Sequence, residues 1–443
     1  MENIPARRKA WFGWCMYDWA NSAFATVIMA AVFPVYFAAL VPEGGASLPI
    51  PGMSRTVPAT ALWGYVISFS MLLVALSAPQ IGAVADRRGA RRRLLVICTL
   101  FGAAATMLLG ATRPGDYLLA GGLFILANYG FATGNIFYNS FLPALASGKQ
   151  LDRLSSYGFA LGYIGGGLAL ALVFVMIQWH EIFGFADAGS ATRAGFVLTG
   201  AWWALFALPT FIWMRERALP QSPEPLVRGF RQYLATFAEI RGYPQLFLFL
   251  IAFLCYNDGV QTVIVVSAIF GKEELGLSQG TILACFLMIQ FLAMPGTLVF
   301  GRVAEKWGAR RSILITLCLF VGVTIYAFFM ETALEFWILA AVVALIFGGS
   351  QAVSRSLYGS LVPPQKSAEF FGFYAISNKF ASILGPLTFG LIADLTGSAR
   401  LSILSLIIFF ILGIILLLRV DVARSSRMMP RMKKMIRDRI DKR

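Results

Sequence analysis

Four ionisable side chains sit where charge is expensive. Asp18, Asp258, Arg355 and Lys379 each interrupt a long apolar run. Such a group costs on the order of 3 kcal/mol at the centre of a membrane helix unless it faces protein or water. The chemistry these residues can do is binding and proton transfer. A guanidinium grips a carboxylate through a fork of parallel N–H bonds, and a desolvated acid holds an ammonium or a proton. Amides accompany them. Asn21 follows Asp18 by three residues, Asn128, Asn135 and Asn139 share one helical face, and Gln351 lies one turn before Arg355. Such amides either line a polar cavity or knit neighbouring helices together. Lys379, near the end of its run, can snorkel to the interface instead of facing a cavity, and Arg355 can instead be locked to an acid.

Other chemistries lack their residues. The only histidine, His180, falls in a polar loop, and the five cysteines lie in or beside apolar runs without metal-ligand spacing. No nucleophile stands beside a base, so no enzyme, metal or cofactor is expected.

The elements that must position these side chains are membrane helices. The chain has 443 residues, 58% of them hydrophobic and 13% charged. It divides into twelve apolar runs long enough to cross a bilayer, which needs about 20 residues each. The expectation is an all-α integral membrane protein with twelve transmembrane helices. Of the 37 lysines and arginines, thirty fall on one side of these runs and five on the other. That bias places both termini in the cytoplasm. The net charge of +15 then reflects topology and contact with anionic lipid at the cytoplasmic face, not nucleic acid.

A repeat organises the spans. GAVADRRGARRR (Gly82–Arg93) returns as GRVAEKWGARRS (Gly301–Ser312). Gly82, Asp86, Arg87, Gly89, Arg91 and Arg92 align with Gly301, Glu305, Lys306, Gly308, Arg310 and Arg311. In both copies the glycines permit a tight turn, the acid can face a helix N-terminus, and the arginines can bond loop carbonyls. Asp18 and Asp258, each three residues after a cysteine, form a second, shorter correspondence, and Tyr138 and Tyr358 a third. A repeat at half the chain length implies two pseudo-repeated six-helix bundles. The division is residues 1–214, a cytoplasmic linker at 215–243, a second bundle at 244–418 and a basic cytoplasmic tail at 419–443. The linker is Pro-rich, then amphipathic through Phe230, Tyr233, Leu234 and Phe237. The tail repeats Met432, Ile436 and Ile440 among its bases, as a surface-lying helix would. Gly158, Gly162 and Gly166 form a close-packing face.

The loop carried by Gly82, Asp86, Arg87, Gly89, Arg91 and Arg92 resembles the motif that follows the second helix of the major facilitator superfamily. Further runs are more specific: YDWANSAF around Asp18, GYIGGGL (Gly162–Leu168), SQAVSRS (Ser350–Ser356), EFFGFY (Glu369–Tyr374) and GPLTFGLIADLTGSAR (Gly385–Arg400). Together they resemble the autophagy-related vacuolar amino-acid effluxer family and its bacterial relatives. The resemblance implies the major facilitator fold, whose helices 1, 4, 7 and 10 line a central cavity. Asp18 and Asn21, Asn128 and Asn135, Asp258, and Gln351 with Arg355 fall on those helices in that order. It implies a monomeric secondary transporter of a small polar solute, amino acids or related zwitterions, working by alternating access with a proton as candidate coupling ion. The repeated loops would act as conformational gates. A lipid or lysolipid translocase on the same fold is the alternative. The short loops match the bacterial branch, hence the bacterial inner membrane.

Overall fold

The structure is a computed structural model and describes residues 4–47, 56–214, 216, 230–380 and 384–422. The linker residues 217–229 and the tail from residue 423, where a surface helix was expected, lie outside the described residues. Apart from one isolated bridge, Ala46 to Val57, the described regular structure is helical.

In chain order the helices are α1 (Ile4–Ala23), α2 (Phe33–Leu40), α3 (Ala59–Arg88), α4 (Arg91–Leu108), α5 (Tyr117–Ser140), α6 (Leu142–Leu145), α7 (Lys149–Gln178), α8 (Ala188–Phe206) and α9 (Leu208–Trp213). They continue as α10 (Phe230–Arg241), α11 (Pro244–Glu273), α12 (Gln279–Trp307), α13 (Ala309–Phe329), α14 (Ala333–Leu361), α15 (Ser367–Phe380), α16 (Leu384–Thr396), α17 (Ala399–Ser405) and α18 (Ile407–Leu418). Among the described residues, ten helical stretches are long and apolar enough to cross a membrane. The first apolar run is broken: a π-helical turn, Phe24–Ala31, separates α1 from α2, which is bent away by 47°. Pro34 in the first turn of α2 removes an N–H donor there, a usual cause of such a break. Counted as one span, this pair makes eleven. The eleventh run of the sequence falls on α15 and α16, with residues 381–383 between them outside the described residues.

The chain forms two compact units. The first comprises Met1–Ala78, Ala90–Tyr138 and Gly158–Arg217. Its core is aromatic. Phe33 stacks on Phe124 at 5.5 Å and meets Phe37, Trp63 and Phe196 within 6 Å. α7 lays its glycine stripe along α1. A methyl group built on Gly165 would lie 2.5 Å from the Trp19 carbonyl oxygen, and one on Gly166 would meet Ser22 and Thr26. Only glycine admits this approach, and Thr26 Oγ1 uses it to donate to the Gly166 carbonyl at 3.0 Å. The start of α4 is capped from far along the chain: Glu216 accepts from the main-chain N–H of Arg91 at 2.9 Å and of Arg92 at 3.4 Å. The start of α8 has its own capping box, in which the N–H and hydroxyl of Ser190 engage Asp187. The donated N–H bonds hold the Asp187 carboxyl below the usual carboxylate range.

The second unit comprises Pro79–Gly89, Asn139–Tyr157 and Ala218–Arg443. α14 is its centre, and every residue from Gly348 to Gly359 is buried, as expected of a helix with neighbours on all sides. Tyr358 stacks on Tyr374 and donates to the Phe370 carbonyl at 2.6 Å. The expected amphipathic linker helix is α10. It docks on α15 through a Thr236–Glu369 hydrogen bond and on the turn before α15 through a Lys366–Glu239 ion pair at 2.7 Å, while Leu234 and Phe237 stay exposed.

Because the α1–α7 contact has no room for a side chain, Gly165→Leu should destabilise the protein by about 1–3 kcal/mol. A lowered melting temperature of the purified protein in detergent checks this; an unchanged one would count against the packing.

Candidate functional site

Asp18 lies near the C-terminal end of α1 and is 8% exposed. The Tyr138 hydroxyl donates to its Oδ2 at 2.7 Å. That phenol is fixed on both sides. Trp14 stacks on it at 4.4 Å and donates its indole N–H to the Tyr138 carbonyl, and Tyr17 stacks at 4.8 Å. One turn on, Asn21 donates to Asn135 Oδ1 at 2.8 Å, and Asn135 donates to the Phe131 carbonyl at 3.1 Å. Asp18, Asn21 and Asn135 thus belong to one polar strip shared by α1 and α5. Asn128 does not join it. It is fully buried and donates to Ser70 on α3 at 2.8 Å, tying α5 to another helix.

In the second unit Asp258, also buried, caps a helix. Gly385 N–H donates to its Oδ1 at 2.8 Å and Leu384 N–H to its Oδ2 at 3.1 Å, so one carboxylate satisfies the start of α16. Gln351 donates to Asn257 at 2.8 Å, which donates to Asn378 at 2.7 Å, an amide chain across α14, α11 and α15. Arg355 is 4% exposed and turns to the start of α7, where its Nε donates to Ser155 Oγ at 3.0 Å and its Nη2 to the Ser155 carbonyl at 2.8 Å. Lys379 belongs to α15; its side chain lies outside the described residues.

The repeated loops share a positive-φ glycine and differ in their acids. Gly89 and Gly308 adopt φ of +59° and +90°, conformations that side chains rarely tolerate. Arg92 donates to the Phe211 carbonyl at 3.0 Å and Arg310 to the Val420 carbonyl at 2.7 Å, each at the end of a last helix of its sequence half. Asp86 caps α15, accepting from Ala368 N–H at 3.1 Å and Glu369 N–H at 2.8 Å. Gly82 makes room for this, since a methyl there would lie 2.5 Å from the Ala368 carbonyl oxygen. The corresponding Glu305 is half-buried and acts electrostatically on Asp152 and Arg153 at the start of α7. Gly301 packs against Ser156 of the same helix.

Sequence reasoning passed over Tyr138, Asn257, Asn378, Asp152 and Ser155 as functional candidates. Two signals were available. Tyr138 belongs to the repeat with Tyr358, and Asn257 and Asn378 each precede an ionisable residue already singled out.

These features, helical membrane spans with buried acids, an arginine and amides and a duplicated basic loop, define a transporter of the major facilitator fold. Solved structures agree on the fold. The human organic anion transporter MFSD10 (TETRAN) superposes with a TM-score of 0.69 at 15% identity, over 94% of this chain and 100% of that one. The major facilitator transporter FucP, in its outward conformation, gives 0.68 at 13%, over 94% and 98%. The family model for vacuole effluxer Atg22-like proteins matches residues 6–429, and the chain belongs to that family. Among its relatives, YxiO of Bacillus subtilis (strain 168), an uncharacterized MFS-type transporter, is 35% identical over 91% of this chain and 93% of its own length. Autophagy-related protein 22 of Coccidioides immitis is 24% identical over 96% and 88%. The protein is therefore a multi-pass membrane transporter and not an enzyme.

Asp258→Ala strips two main-chain N–H groups, one of them buried, of their acceptor and should cost on the order of 3 kcal/mol. Asp258→Asn, which keeps one acceptor oxygen, should cost less. Faster hydrogen exchange at Leu384 and Gly385, graded in that order, is the expected result.

Proposed function

We propose that this transporter moves amino acids or related small zwitterions by alternating access, coupled to protons through Asp18. It acts as a monomer in the bacterial inner membrane, with both termini and the repeated basic loops on the cytoplasmic side. The effluxer family supports the substrate class, and the Bacillus relative supports the membrane.

One observation carries the coupling assignment. Asp18 faces a hydroxyl, whereas Asp258 faces two main-chain N–H groups. A hydroxyl both donates and accepts, so Asp18 can gain a proton and keep its partner by reversing the Tyr138 bond. A proton on Asp258 would oppose an N–H donor and strand it in a dry interior. Asp18 is thus the acid that can cycle, and Asp258 the acid that holds α16. The Asn21–Asn135 pair within the first unit, and the Gln351–Asn257–Asn378 chain within the second, would each offer hydrogen-bonding groups to a polar solute, and Lys379 would contribute a charge.

The Asp86 cap gives the gate. It joins a loop of the first sequence half to the start of α15, and it would hold the cytoplasmic side closed in the outward-facing state. Breaking it shifts the population toward the inward-facing state.

Uptake of a labelled amino-acid mixture into proteoliposomes should depend on an imposed pH gradient. Asp18→Asn should lose that dependence by about tenfold or more, with Asp258→Asn impaired irrespective of the gradient. No uptake by folded, reconstituted protein would remove the amino-acid assignment. Separately, Asp86→Asn loses one acceptor, a change of about 1 kcal/mol or roughly fivefold in the state ratio. Single-cysteine reporters on the cytoplasmic side should react correspondingly faster with impermeant thiol reagents, and equal rates would contradict the gate.

A further inference from the structure

The position of Arg355 gives it a use beyond that of a ligand group. Its guanidinium donates to Ser155 twice, at the hydroxyl and at the carbonyl, and its Nη1 reaches Asn139 Oδ1 at 3.4 Å. Ser155 Oγ in turn donates to the Ala352 carbonyl at 2.6 Å. Ser356, next to Arg355, donates to the carboxylate of Asp152. Ala352, Arg355 and Ser356 are spaced so as to share one face of α14. Asp152 and Ser155 share a face of α7. Two helices are therefore joined by side-chain and main-chain bonds at the same level, with the end of α5 drawn in through Asn139. All of these side chains except Asn139 are buried.

These bonds cross a boundary in the sequence. Asn139–Tyr157 comes from the first half of the chain, yet it clusters with residues of the second half in one compact unit. The same unit holds the Asp86 cap, and Ser367, at the start of α15, donates to the Ser140 carbonyl at 2.9 Å. The α14–α7 bonds and the α15 cap thus both anchor first-half segments to second-half helices, through separate residues.

We infer that Arg355 is a latch for transport: its grip on Ser155, seconded by Ser356 on Asp152, positions the start of α7 and the end of α5 against α14 and must be released in each transport cycle. The inference rests on the transporter reading and adds positioning residues to it. A guanidinium suits the task because it stays charged and its fork fixes the direction of several bonds at once, which an ammonium does not.

Hydrogen–deuterium exchange of the full chain in nanodiscs tests this without a known substrate. Arg355→Ala should raise exchange about tenfold or more in peptides covering 139–157. A smaller rise should appear at 79–89 and at the start of α15, and none in α1, α4 or α8. Arg355→Lys, which keeps the charge but lacks the fork, should fall between wild type and alanine. Ser155→Ala, which loses only the hydroxyl, should show the same pattern more weakly, and it serves if Arg355→Ala does not fold. Unchanged protection of 139–157 in folded Arg355→Ala, or a uniform rise through the whole chain, would overturn the latch. Because neither result involves uptake, either would leave the transporter reading to its own assay.

Discussion

A helix must find acceptors for its first N–H groups, and this chain answers that demand with carboxylates borrowed from elsewhere. Glu216 serves α4, Asp86 serves α15 and Asp258 serves α16, each taking two successive main-chain donors. The fit is physical. Two carboxylate oxygens match two neighbouring N–H groups, and the negative charge meets the positive end of the helix dipole. In water such caps stabilise modestly. In a bilayer an unmet N–H costs several kcal/mol, so each cap also dictates which distant segments stay together.

The same constraint explains why repeat-equivalent acids diverge in use. Asp18 and Asp258 correspond in the two halves of the sequence, yet one meets a phenol and the other a helix start. Asp86 and Glu305 correspond too, yet one caps α15 and the other sits beside charged residues of α7. Duplication supplies the residue; the neighbour it meets decides its use.

Much of the fold was legible in the sequence because apolar length and charge bias are direct consequences of the bilayer. The repeat marked the positive-φ glycines Gly89 and Gly308. The break after Ala31 was not legible, since Phe24–Leu40 is apolar on both sides of it and only Pro34 signals it. For the candidate site, cost alone picked out Asp18, Asp258 and Arg355. Their partners could not be read, being 120 residues away for Tyr138 and 200 for Ser155. Periodicity puts Asn128 and Asn135 on one face, yet Asn128 meets α3 and Asn135 meets α1. Spacing fixes a direction from the helix axis, not the neighbour found there.

If the bonds holding first-half segments to α14 and α15 open and close as solute crosses, tying them shut must stop transport. The direct measurement is amino-acid uptake by a variant carrying Asp152→Cys and Ser356→Cys, two side chains in hydrogen-bond contact, assayed oxidised and then reduced. Uptake is expected in the reduced protein and none when the disulfide ties α7 to α14. Equal uptake in both states would contradict it.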